Sequence, residues 1–196
     1  MSREEVKNKI LLATIDCIEE YGLAKVTIRK ISQLAGVNVA MINYYFGSKD
    51  KLIEKAMQAT LQEGFSNNLE DYSTQWETDT ITALKGFLYD TLSGMMNYPN
   101  ITKSHLYEVM INNNYNCLSV MELNNFLDKL YDLTKEIVIG KDEREKRRAV
   151  VQMFSAVFLI GLIPYIFNTY LGYDIEDKNE RKLFIDTLVS KFTNQL

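Results

Sequence analysis

The sequence predicts an all-α protein, with an N-terminal three-helix head of helix-turn-helix type and a larger helical body behind it. Three observations carry this. Only two prolines and nine glycines interrupt 196 residues, so long helices can run with few breaks. Apolar residues recur at three- and four-residue spacing through most of the chain, as one face of a helix requires. No stretch sustains the period-two alternation of a half-buried strand, and no internal repeat is evident.

In order, Val6, Ile10, Ala13 and Cys17 mark a first helix over 3–21, with Leu11 and Ile18 widening its stripe. Gly22 offers a left-handed stop after it. A short helix over 27–35 follows, then Gly36, then a helix over 38–45 for which Asn38 is a suitable N-cap. Ser48 caps a fourth helix with Leu52, Ile53, Ala56 and Leu61 facing inward. The polar stretch 66–79 reads as a connection. Helical patterns resume over 80–97, stop at Pro99 and restart over 101–113. Another runs over 117–138 and ends at Gly140. Asp142 then caps a long helix to about Tyr170, and a last helix runs over 178–195.

The net charge of −4 argues against a chain that coats polyanions indiscriminately. Its distribution says more. Residues 1–60 carry nine bases against seven acids, a surplus of +2, while the remainder carries thirteen against nineteen, a deficit of −6. From Gly22 to Lys49 there are four bases and no acid. A cationic patch on an anionic body suits a phosphate-binding head, and equally a solvated lysine surface without a ligand. Cys17 and Cys117 lie far apart with no histidine cluster, so no disulfide scaffold, metal site or cofactor is expected, and reduced thiols in a cytoplasm fit. The charged start, Met1 to Glu5, leads us to expect no secretory signal.

Residues 27–46 follow helix-turn-helix logic. Ile28, Ile31 and Leu34 give the first motif helix an inward face, and Ala35 is small enough for a close crossing. Gly36 can take the left-handed turn without a Cβ penalty. Val37 and Ile42 seat the second helix, whose short residues Val39 and Ala40, with Met41, let its backbone approach base edges in a major groove. With these residues, and above all with Asn43-Tyr44-Tyr45-Phe46-Gly47-Ser48-Lys49-Asp50-Lys51-Leu52, residues 6–55 resemble the DNA-binding head of tetracycline-repressor-like (TetR) transcriptional regulators. Ser32 and Ala40 depart from the commonest pattern, which has Ala and Gly there, but both stay small. The resemblance implies that Val39, Ala40, Met41 and Asn43 face the groove and that Arg29 reaches a base edge or phosphate. It implies phosphate bonds for Thr27, Tyr44, Tyr45 and Lys49, which would fix register without reading sequence. Packing is the competing role for Tyr44 and Phe46.

The resemblance divides the chain into a DNA-binding domain, 1–47, and a ligand-binding and dimerisation domain, 48–196. Residues 149–167 are uncharged and follow Lys146-Arg147-Arg148, so a membrane span has to be weighed. Gln152, Ser155 and Pro164 dilute the run, and a helix apolar all round can instead be buried by its own core and by a partner subunit. Phe184, Leu188 and Phe192 on the last helix are candidates for such a homodimer interface. Phe87, Tyr107, Met110, Phe126 and Phe154 are candidates for a small-molecule pocket, and each also serves as ordinary core. His105, the only histidine, reads as packing. No nucleophile elbow, P-loop or dinucleotide fingerprint is present, so an enzyme is not expected. The expected partners are operator DNA, a second copy of the chain and a small-molecule ligand that releases the operator, which makes the protein a repressor. A helical adaptor without DNA binding would leave the acid-free stretch 22–49 unexplained.

Overall fold

A computed structural model describes residues 2–194, of which 66–68 are described by their backbone alone. The described residues form helices and turns, with one isolated antiparallel bridge between Val138 and Thr193. The chain packs as two compact units, one of residues 2–63 with 98–119, the other of residues 64–97 with 120–194. The boundary expected after residue 47 divides the chain by role; by packing, the helix that follows it stays with the head.

In the first unit, α1 (Arg3–Tyr21) opens with a reciprocal cap, Ser2 Oγ accepting from the Glu5 amide while the Glu5 carboxylate accepts from the Ser2 amide. It ends at Gly22, whose φ of 76° is positive as expected, although its ψ of 150° carries the chain onward in an extended path. A 3-10 turn over Leu23–Lys25 leads to α2 (Ile28–Ala35), α3 (Val39–Phe46) and α4 (Lys49–Leu61). Thr27, Asn38 and Ser48 cap these three helices. Ile10, Cys17, Ile18, Ile31, Ala35, Ile42, Leu52 and Ala56 are fully buried together. Leu34, expected inside, is 45% exposed. On an eight-residue helix the inward arc is filled by Ile31 and Ala35, four apart, and position 34 falls on its flank.

The stretch 66–79 is helical rather than a loop. After a wide turn over Gln62–Asn67 come α5 (Asn68–Asp71) and α6 (Ser73–Thr78). Leu69 and Trp76 are the cause, since both are buried and the indole N–H donates to the Leu69 carbonyl at 3.0 Å. α7 (Thr80–Asn97) follows as expected. Pro99 starts a helix instead of ending one, standing at the first position of α8 (Pro99–His105), where its missing N–H costs nothing. A break at Leu106 separates α8 from α9 (Tyr107–Asn112). α10 covers Leu118–Thr134 and α11 covers Glu143–Leu162. The long helix stops eight residues before Tyr170, because Pro164 disfavours helical geometry at Ile163, which sits at φ −140° and ψ 60°. α12 (Asn168–Leu171) and α13 (Lys178–Phe192) complete the chain, and the expected end at Gln195 lies outside the described residues.

In the second unit α7 packs between α11 and α13. At Gly161 a Cβ would come within 3.0 Å of Met95, so this glycine permits the close crossing of α11 and α7. Phe126 is the hub of an aromatic cluster, its ring centroid 4.5 Å from Phe65, 5.6 Å from Phe87 and 5.1 Å from Phe154. Arg181 is buried, with no carboxylate partner among the described residues. Its guanidinium donates to Ser93 Oγ and the Glu176 carbonyl and lies over the Tyr89 ring.

Candidate nucleic-acid interface

The turn between α2 and α3 sets the geometry of the interface. Gly36 takes the left-handed conformation, φ 57° and ψ 39°, which a residue with a Cβ adopts only with strain. Ser32, a departure from the usual Ala, has a use here, since its hydroxyl donates to the Val37 carbonyl at 2.9 Å and ties α2 to the turn. Asn38 then accepts from the Ala40 amide at 2.6 Å, which starts α3 one residue later.

α3 buries Ile42 and Phe46, four apart, so the opposite face must look outward. That face carries Val39, Ala40, Asn43 and Tyr44, all exposed, with Tyr44 at 73%. Met41 and Tyr45 are half-buried flanks that pack on the head core. Phe46 is core, in agreement with the packing role. Tyr44 and Tyr45 meet edge to face, their centroids 5.1 Å apart.

The remaining residues marked from the sequence surround this face. Thr27 accepts from the Lys30 amide at 3.3 Å, and as a hydroxyl it keeps its own proton to donate. Arg29 is exposed on α2. Lys49 begins α4 with its stem half-buried and its ammonium 3.5 Å from the Val26 carbonyl, which places the charge while leaving further N–H groups to give. Lys30 is more committed, donating to the Lys25 carbonyl and standing 3.8 Å over the Tyr21 ring. Arg3, unmarked by the sequence reading, sets its guanidinium 5.9 Å from the centroids of both Tyr44 and Tyr45. A separation of 41 residues hides that contact from any local pattern.

Residues 10–56 match the family of bacterial regulatory proteins designated tetR. These residues, about a quarter of the chain, match a TetR-type DNA-binding head. The chain is 42% identical over 55 residues to the transcriptional regulator BetI 1 of Chromohalobacter salexigens, a match that spans 28% of this chain and 27% of that protein. The helix-turn-helix regulator YttP of Bacillus subtilis is 28% identical over 166 residues, 84% of this chain and 77% of that protein. Among solved structures, a TetR transcription regulator from Haloarcula marismortui superposes with a TM-score of 0.70 at 17% identity, over 97% of this chain and all of that one. The TetR-type head of this chain is therefore a DNA-binding helix-turn-helix, and its outward α3 face is the groove-facing candidate.

The candidates in the remainder of the chain are only partly brought together. Phe87, Phe126 and Phe154 join in the aromatic cluster of the second unit, with Phe65 as a fourth member that the sequence did not mark. Tyr107 and Met110 lie on α9 in the first unit and are exposed. The recess beside the cluster, lined by Phe65, Leu69, Glu122, Asn125, Phe126 and Lys129, has room for little more than a water molecule. Phe184, Leu188 and Phe192 are half-buried against their own core. The outward apolar residues of the two long helices are instead Val151 and Leu159 on α11 and Leu183 on α13. No helix among the described residues is long and apolar enough to cross a membrane.

Proposed function

We propose that the protein is a cytoplasmic, homodimeric transcriptional repressor that reads an operator through α3 and lets it go when a small molecule enters the body. The observation that carries this reading is the exposed α3 face, Val39, Ala40, Asn43 and Tyr44, on a stretch from Gly22 to Lys49 that has no acid and also holds Thr27, Arg29 and Lys49. Val39, Ala40, Met41 and Asn43 take the base edges, and Thr27, Arg29, Tyr44, Tyr45 and Lys49 take phosphates. Two heads must stand about 34 Å apart to enter successive major grooves, and an isologous pairing of α11 and α13 would supply the second head. In this division of labour residues 1–47, joined by Lys49 at the start of α4, bind DNA, and the rest of 48–196 binds ligand and partner.

The ligand would be apolar or aromatic and would replace ring contacts around Phe87, Phe126 and Phe154. Because the cluster is closed, entry requires rings and methionines to repack, which the soft Met153 beside them allows. A hundredfold loss of operator affinity needs about 2.7 kcal/mol of preference for the released state, and operator must weaken the ligand by the same factor. Selection of binders from random duplexes, with light scattering on the same sample, tests the first part. Enrichment of one pseudo-palindromic sequence by a dimer is expected. A monomer that enriches nothing would leave the adaptor reading in its place. For the second part, titration calorimetry of a ligand found by screening against the DNA-bound form should give a weaker constant with saturating operator. Equal constants would uncouple ligand from release.

A further inference from the structure

We propose that Arg3 is an additional phosphate ligand of the DNA interface, held in place by Tyr44 and Tyr45. The inference rests on the DNA-binding reading above and adds to it a residue from outside the helix-turn-helix. The reciprocal cap between Ser2 and Glu5, at 2.7 and 3.2 Å, starts α1 at Arg3 and fixes where its side chain leaves the backbone. The same cap occupies Glu5, and Glu4 pairs with Lys7 at 3.6 Å. Among the described residues no carboxylate pairs with Arg3; its contacts are the faces of two tyrosine rings at equal distance.

Helix stability does not account for a cation at this position. The first turn is the positive end of the helix dipole, where acids stabilise and bases cost. A guanidinium can rest on aromatic rings and still aim its N–H fork at an anion, because cation–π contact uses its face and phosphate bonding uses its edge. One of the two rings belongs to Tyr44, which is 73% exposed on the outward side of α3. A phosphate bonded by a Tyr44 or Tyr45 hydroxyl would thus lie beside an uncommitted positive charge.

The test is fluorescence anisotropy with the full-length protein, a duplex selected from random sequence, an unrelated duplex of equal length, and a range of salt concentrations. Arg3→Ala is expected to weaken both duplexes about tenfold with their ratio unchanged, the scale of one charge-assisted bond. It should also reduce the slope of log affinity against log salt by about 0.9 for each copy bound. Arg3→Lys should keep the slope, and Arg144→Ala, at an exposed position in the first turn of α11, should change nothing. The thermal midpoint of Arg3→Ala should stay or rise, because a cation has left a helix N-terminus. A wild-type salt slope in Arg3→Ala would overturn the inference, and so would a weaker affinity that comes with a lower midpoint, since Arg3 would then only brace the tyrosines. A wild-type protein that bound neither duplex would instead overturn the DNA-binding reading beneath it.

Discussion

The two packing units are filled with different material. The core of the first is almost wholly aliphatic, built on Ile10, Ile18, Ile31, Ile42 and Leu52, each fully buried. The second has an aliphatic core as well, with Leu84, Leu88, Leu92, Leu130 and Ile175 fully buried, and adds to it the cluster of Phe87, Phe126 and Phe154 with Met153, bordered by Phe65, Phe158 and Met96. Branched aliphatic side chains have few rotamers and lock one arrangement, which suits a unit that must hold α3 rigidly outward. Rings and thioethers fill space that can be filled in more than one way, which suits a unit proposed to admit a guest. The difference teaches that the unit which holds the helix-turn-helix is the one with the more restricted side chains.

The sharpest way to break this contrast is at its aromatic hub. Phe126→Ala removes a ring that touches three others and should cost about 3–5 kcal/mol. Phe126→Met keeps a large, adaptable apolar side chain and should cost less than Phe126→Ala. In the first unit the corresponding swap, Ile42→Met, meets a branched, fully buried neighbourhood and should cost more than Phe126→Met. Urea unfolding of the three variants gives the comparison, and equal costs for the two methionine variants would remove the claim of a softer body.

A second test concerns what covers α11 and α13. Phe184 and Phe192 are half-buried in their own subunit, so placing glutamate there would disturb folding as well as pairing. Leu159 and Leu183, at 45% and 60% exposure, are the cleaner positions. Leu159→Glu combined with Leu183→Glu should give folded monomers by light scattering. Operator affinity should fall at least about a hundredfold, or about 2.7 kcal/mol. A variant that stays dimeric would move the interface elsewhere.

How much of this was legible in the sequence follows the range of the interactions involved. Asn38 and Ser48 as caps, Gly36 as the left-handed turn and the bounds of α1, α2 and α3 to within one residue depend on near neighbours and are legible in the sequence, whereas Thr27, read there as the first residue of α2, is its cap. Periodicity likewise located α7, α10 and α13. The misreadings have local causes too. Pro99 reads as a stop in the sequence although proline fits the first position of a helix, and the apolar run past Pro164 masks the backbone sterics that end the helix at Leu162. What stayed hidden is long-range. Residue spacing cannot show Phe65 stacked on Phe126, Arg3 over Tyr44, or the Trp76 indole bonded to the Leu69 carbonyl, since each partner lies in another element. The α3 face was legible because one helix carries most of it, and the aromatic cluster was only half legible because it gathers side chains from several helices.

His105 allows the two units to be compared by pH. It lies in the first unit, with Nε2 3.1 Å from Thr60 Oγ1, and burial lowers its pKa from 6.5 to about 4. A histidine whose folded pKa is depressed binds fewer protons folded than unfolded between those values. Its stability is therefore fully present above pH 6.5 and is lost as pH falls toward 4. At pH 5 the loss should be about 2 kcal/mol. His105→Gln should abolish that part of the pH dependence. Unfolding followed at pH 8 and pH 5 checks it, and an unchanged profile in His105→Gln would show that the titration lies elsewhere.

The smallest expected effect separates holding DNA from reading it, within the rigid unit itself. Lys49 carries a charge already placed by the Val26 carbonyl, and Tyr45 offers a hydroxyl from a half-buried ring, so neither is positioned as a free probe of base edges. Lys49→Ala should weaken selected and unrelated duplexes alike, about tenfold, and lower the salt slope by about 0.9 for each copy bound. Tyr45→Phe loses a neutral bond and should cost about 1 kcal/mol with no change in slope. Asn43 points outward from α3 and carries an amide that can both donate and accept, the pairing that recognises adenine in a major groove. Asn43→Ala should therefore leave the salt slope intact and shift preference at one base pair of each half-site by about 1–3 kcal/mol. Competition binding against a set of single-base operator variants measures both quantities at once. If Lys49→Ala altered the ranking of those variants, or Asn43→Ala altered only the slope, the assignment of α3 to bases and of the start of α4 to phosphates would be reversed.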